Sequence, residues 1–205
     1  QDTENVRKLF IRKFGQPRRT IMHGQSYGGA VAGKVAELYA KGPNGERNYD
    51  AALMTSGLIA GGSRFYLFRA DLRAVYQYYC KNIPRPDEPQ YPLWMGLPAD
   101  SKLTTEEVES RINECTGINL PAADRSEQQR QNLANILKVT RTPERNLLGN
   151  MNSATAMFQD IVHRRLGGRN PFSNVGIQYV GSTDDAALNR GVERFRSDPK
   201  AVADL

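Results

Sequence analysis

Gly24-Gln25-Ser26-Tyr27-Gly28 sets a hydroxyl between two glycines, and that spacing has a chemical use. A serine on an abrupt turn from a strand into a helix is held as a nucleophile elbow, with its oxygen pointing out of the fold. Gly24 and Gly28 are then expected because side chains there would collide with the neighbouring strand and helix. The helix start adds positive dipole and free N–H groups, which favour developing negative charge. The backbone N–H of Tyr27 is the expected oxyanion donor; losing one such donor typically costs about 3–4 kcal/mol. A bare G-x-S-x-G also occurs as an ordinary Gly/Ser turn, so the flanking elements decide.

Those elements have the required order. Val6, Leu9, Phe10 and Phe14 lie at helical spacing before Gly15, a natural stop. Thr20 to His23 reads as a short strand. Tyr27 to about Lys41 reads as a helix so broadly apolar that burial beneath a sheet is expected. Gly42-Pro43-Asn44-Gly45 turns the chain into Tyr49 to Thr55, a second strand with a near-continuous apolar centre. Strand, helix and strand with short links predict a parallel pair with a right-handed crossover.

After Gly61-Gly62 the pattern becomes mainly helical. Helices are predicted over 64–80, 104–115 (opened by the capping box Thr104 to Glu107), 126–140, 153–166 and 182–196, with a last short one from Asp198-Pro199. The Pro-rich stretch from Ile83 to Pro98 reads as an ordered loop, and Val175 to Val180 as a short extended piece. The predicted division is therefore 1–62, an α/β piece, and 63–205, a helical module.

With these elements in place, residues 1–62 resemble the middle of an α/β-hydrolase, and Met22-His23-Gly24-Gln25-Ser26-Tyr27-Gly28-Gly29 resembles the elbow of bacterial serine esterases and peptidases. The helical stretch resembles the lid that many members insert after the following strand. The remainder is similar to exported bacterial hydrolases. The resemblance implies an α/β fold: a partial α/β-hydrolase parallel sheet with a large, mainly helical lid insertion. It implies a serine hydrolase cleaving a carboxylic ester or amide of a small molecule or peptide through an acyl-enzyme on Ser26. No cofactor or metal is expected.

A serine needs a base and an orienting acid, and the family's order is Ser, then Asp or Glu, then His. The chain has two histidines. His23 precedes Ser26 and is expected to pack beneath the elbow; His163 lies in a lid-type helix beside two arginines. Asp50 begins the second strand, at the end of the sheet away from the elbow. Asp184 and Asp185 read as helix-capping residues, and Asp71 and Asp87 fall in the lid-like region. The resemblance implies that base and acid lie outside this chain, with a complementary chain carrying the remaining strands as one possible source. This chain alone is then expected to be inactive. Lid aromatics (Phe65, Phe68, Tyr76, Tyr78, Tyr79, Tyr91 and Trp94) are candidates to shape an acyl or aryl pocket, or else to form lid core. The alternative reading is a non-catalytic fragment or binding module of the same ancestry.

Bulk properties bound the partners. The chain has 205 residues, a net charge of +6 and 39% hydrophobic content, with no apolar run approaching the ~18 residues of a membrane span. Its positive charge is interspersed with acidic residues, which argues against a nucleic-acid partner. Cys80 and Cys115 are too few for a structural zinc site. They are either buried free thiols or a disulfide closing a loop of about 36 residues. The disulfide is the expected state and favours a secreted or periplasmic protein.

Overall fold

The computed structural model describes residues 1–59, 62–170 and 172–199, with the side chains of residues 62, 63 and 65 also outside the description. The chain is mixed α/β, mainly helical, with a small two-stranded parallel sheet. It divides into two compact units, Gln1–Phe65 and the residues from Tyr66 onward.

The first unit contains α1 (Asp2–Phe14), β1 (Ile21–Gln25), α2 (Tyr27–Tyr39) and β2 (Ala51–Thr55). The strands run parallel, Ile21 opposite Ala51 and Gln25 opposite Thr55. Met22 packs with Ala32 and Val35 of α2 on one face of the sheet. The opposite face is bare: Ile21 is 62% and Leu53 55% exposed. The apolar run of β2 therefore does not mark a buried strand, and β2 is exposed along most of its length. The expected burial of α2 also fails on two sides. Val31 and Leu38 are exposed, because two strands are wide enough to cover only one stripe of a helix.

Gly15 ends α1 in a positive-φ conformation, φ 84°. Its apolar residues Val6, Leu9, Phe10 and Phe14 are exposed, and Glu4 is its buried residue. The Glu4 carboxylate accepts hydrogen bonds from Arg7 Nε (2.9 Å) and Nη2 (2.6 Å) and from the Tyr49 hydroxyl (2.9 Å). Arg7 Nη2 also donates to Asn48 Oδ1. A polar clasp, not an apolar seam, thus ties α1 to the segment before β2.

The second unit packs the rest of α3 (Gly62–Cys80) with α4 (Thr105–Thr116), α5 (Glu127–Thr140), α6 (Leu147–Asn152) and α7 (Asp185–Val192). Its main core is built from Leu72, Val75, Tyr76, Ile112, Ile136, Leu147 and Leu188, among others. Capping boxes open both α4, on Thr104 and Glu107, and α5, on Ser126 and Gln129. Cys80 and Cys115 form a disulfide, with Cα atoms 5.5 Å apart, that joins the end of α3 to the end of α4.

Two predicted elements differ here. The helix expected over 153–166 is α6 prolonged by two π-helical stretches, Ser153–Met157 and Asp160–Arg165. The loop at Gly96 explains the fit: a Cβ on Gly96 would lie 2.3 Å from the Thr155 carbonyl oxygen. Gln159 Nε2 donates to the Pro98 carbonyl beside it. Val175 to Val180 forms turns without strand pairing, and Tyr179 is fixed by Asn189, whose Oδ1 accepts from Tyr179 N. Gly61 and most of the short helix expected after Asp198-Pro199 lie outside the described residues.

Candidate active site

Ser26 sits at the carboxyl end of β1 and immediately before α2. Its backbone has φ 53° and ψ −121°. That is a conformation which L residues other than glycine adopt at a cost of about 1–3 kcal/mol. Serine at a helix start ordinarily adopts an extended backbone and caps the helix with its hydroxyl. Thr104, Ser126 and Asp184 do this in the second unit, each with negative φ and a side-chain oxygen accepting a backbone N–H. Ser26 makes no such bond. Its strain is thus not offset by capping, and its side chain is exposed.

Several contacts hold this turn. Ser26 N donates to the Thr55 carbonyl at 3.0 Å, tying the elbow to the last residue of β2. Gly29 N donates back to the Ser26 carbonyl at 2.9 Å. A Cβ on Gly24 would stand 2.0 Å from the Gly28 carbonyl oxygen, so glycine is obligatory there. The expectation for Gly28 is corrected: a Cβ on it would meet nothing within 4 Å. The crowded helical glycine is Gly29, whose Cβ would lie 2.5 Å from the Cα of Gly57. The first turn of α2 therefore rides on the turn after β2. The pair Gly28-Gly29 and the stretch Thr55-Ser56-Gly57 carried that signal in sequence, but only the register of the strands shows which glycine meets which.

Tyr27 and Gly28 occupy the first turn of α2, where backbone N–H groups lack intrahelical acceptors. The Tyr27 N–H stands beside the serine at the start of α2, and Tyr27 is 73% exposed. Ser56, one residue beyond β2, also has positive φ, 50°. The carboxyl ends of both strands are thus sharp turns at the same level.

The other titratable candidates are held elsewhere. His23 does not pack beneath the elbow; it is exposed on the bare face of β1, its Nε2 3.4 Å from Thr55 Oγ1. The reason is the strand's alternation, which buries Met22 and Gly24 and turns His23 outward. His163 lies in the second π-helical stretch, half-buried, with Nε2 3.1 Å from the Leu97 carbonyl oxygen. Among the described residues, no hydrogen bond joins Ser26 to a histidine. Asp50 lies at the amino end of β2, where its carboxylate accepts from Thr20 N (2.7 Å), opposite to the end that carries Ser26. Asp184 caps α7, and Asp185 accepts from the N–H groups of Gly181 and Ser182. Asp87 is exposed.

Asp71 has a buried role that the sequence did not show. The Tyr179 hydroxyl donates to its Oδ1 at 2.6 Å, and Tyr179 also accepts from Asn174. Burial pushes the Asp71 carboxyl above the ordinary range, partly countered by the Tyr179 and Asn174 hydrogen bonds.

The aromatic candidates separate. Tyr76 is fully buried core, its hydroxyl donating to Asn82 Oδ1. Tyr78, Tyr79 and Tyr91 pack against the same core, and Trp94 against the stacked pair Phe158 and Phe172. Phe68 lines a cavity of about 220 Å³ with Asp71 and Tyr179. The Phe65 side chain lies outside the described residues. Among the described residues, no group of three or more His, Cys, Asp or Glu is arranged to hold a metal ion. No helix among them is long and apolar enough to cross a membrane. No protein-family model, curated protein or solved structure matches this chain.

Proposed function

We propose that the chain is part of an α/β-hydrolase-type serine hydrolase that cleaves a carboxylic ester or amide. The observation that carries the reading is the backbone of Ser26, strained at a strand-to-helix turn while its hydroxyl performs no capping. Strain of this kind persists at functional sites where surrounding structure over-determines it; here Gly24, Gly29 and the Thr55 carbonyl do so. The base takes the Ser26 Oγ proton as Oγ attacks the substrate carbonyl and passes it to the leaving group; it then takes a proton from the water that attacks the acyl carbon and returns it to Ser26 Oγ as the acid departs. The Tyr27 N–H donates to the oxyanion formed at attack.

The base and acid come from residues outside this chain. Two observations support this: His23 and His163 are bonded to groups other than Ser26, and the first unit has too little sheet for its apolar surface. A two-stranded sheet is marginal alone. Ile21 and Leu53 of its bare face, and Val6 and Phe14 of α1, are apolar surface of the kind further core elements cover. In this reading the second unit is the lid, and the disulfide matches a secreted or periplasmic protein.

The test is turnover of short-chain nitrophenyl esters by the native protein. S26A is expected to lower kcat by about 10⁴-fold or more, while H23A and H163Q leave it within about twofold of the parent protein. Loss of turnover in a folded H23A or H163Q protein would place the base inside the chain. A second reading, an idle elbow in a binding module, is favoured by the same two histidine bonds, and full turnover by S26A or none by the native protein would select it.

A further inference from the structure

A groove of about 710 Å³ opens in the second unit, lined by Gln77, Lys81, Pro84, Tyr91, Arg194 and Phe195, among others. Its volume falls within the roughly 300–1,000 Å³ typical of small-molecule sites. We propose that it binds an organic anion that carries an aromatic ring, independently of the reading for Ser26.

The groove is built, not incidental. Gln77 Nε2 donates to the Pro84 carbonyl (2.7 Å), and its Oε1 accepts from Ile83 N (3.2 Å). One wall follows α3, where Lys81 N donates to the Gln77 carbonyl and Lys81 has φ 50°. The 3₁₀ turn Glu193–Phe195 contributes Arg194 and Phe195 to the lining.

Its charge is of one sign. Lys81, Arg194 and Arg196 line it, and among the described residues no carboxylate does. Arg196 is engaged by Glu193 and by the Ile177 carbonyl. Among the described residues, no salt bridge engages Lys81 or Arg194; the Arg194 guanidinium lies 4.6 Å from the centre of the Phe195 ring.

Tyr91, Phe195 and the prolines give flat apolar walls, which suit a ring better than a bare inorganic ion.

The probe is 2-naphthoate, with its neutral amide 2-naphthamide as control, each titrated calorimetrically into the full chain at low salt. Naphthoate is expected to bind saturably and about tenfold or more tighter than the amide. K81Q/R194Q, two exposed substitutions, is expected to abolish that preference while the circular dichroism spectrum is unchanged. Equal affinity for the two probes, non-saturable binding of naphthoate, or a preference retained by a folded K81Q/R194Q would each overturn the proposal.

Discussion

Ser26 holds a backbone that its own side chain does nothing to support. If the strain is kept for chemistry, removing the side chain relieves it. S26G is expected to stabilise the fold by about 1 kcal/mol and to abolish ester turnover, measured by urea unfolding beside a kinetic assay. The neighbouring glycines give a sharper contrast. G24A forces a Cβ against the Gly28 carbonyl, so a loss of about 2–3 kcal/mol is expected. G28A meets open space inside a helix and is expected to be neutral or stabilising by up to about 1 kcal/mol. The motif made the serine and Gly24 legible in sequence. It misassigned the second close contact, because G-x-S-x-G names Gly28 while the packing of α2 on the turn after β2 falls on Gly29.

Elements follow what covers them more than what they are made of. The apolar residues of α2 and β2 read as buried, and the helix and strand are there, yet the sheet has too few strands to cover them. In α1 the reverse holds: its apolar residues stay exposed, and Glu4 anchors it. Arg7 and Tyr49 hydrogen bonds hold the Glu4 carboxyl below its usual 4.5, and burial, aided by that carboxylate, raises the Tyr49 phenol to about 12. A depressed carboxyl stabilises the fold above the ordinary carboxylate range, and this contribution disappears as pH falls through the depressed value. E4Q is therefore expected to cost about 2 kcal/mol at pH 7, with the gap to the parent protein closing below pH about 4, as read from urea midpoints across pH. The Cys80–Cys115 bond joins α3 to α4 across 35 positions; C80S/C115S is expected to lose about 3–4 kcal/mol, with reduced parent protein matching it. The capping boxes of α4 and α5 were written locally as S/T-x-x-E/Q and so were legible. The π-helical stretches were not: Gly96, 57 positions before Ser153 in the chain, packs on the Thr155 carbonyl of the first, and no local pattern records that contact.

At the scale of the whole molecule, the two units differ in how they satisfy their surfaces. The second buries two apolar clusters, one around Tyr76 and one around Phe158, and opens α4, α5 and α7 with side-chain caps. The first leaves Ile21, Leu53, Val6 and Phe14 open and holds Ser26 and Ser56 at positive φ. That combination, a strained serine turn on an under-covered sheet with both histidines bonded elsewhere, is what supports the proposal of a nucleophile whose activating partners lie outside the chain. The direct measurement is covalent: treat the protein as isolated from its native source with a fluorophosphonate, then record intact masses and map the adduct by peptide sequencing. The expected result is a single adduct on Ser26, in a polypeptide heavier than 22.9 kDa or in one that co-purifies with a second chain. An unmodified Ser26 in every species that contains it would contradict the assignment of this serine as a nucleophile.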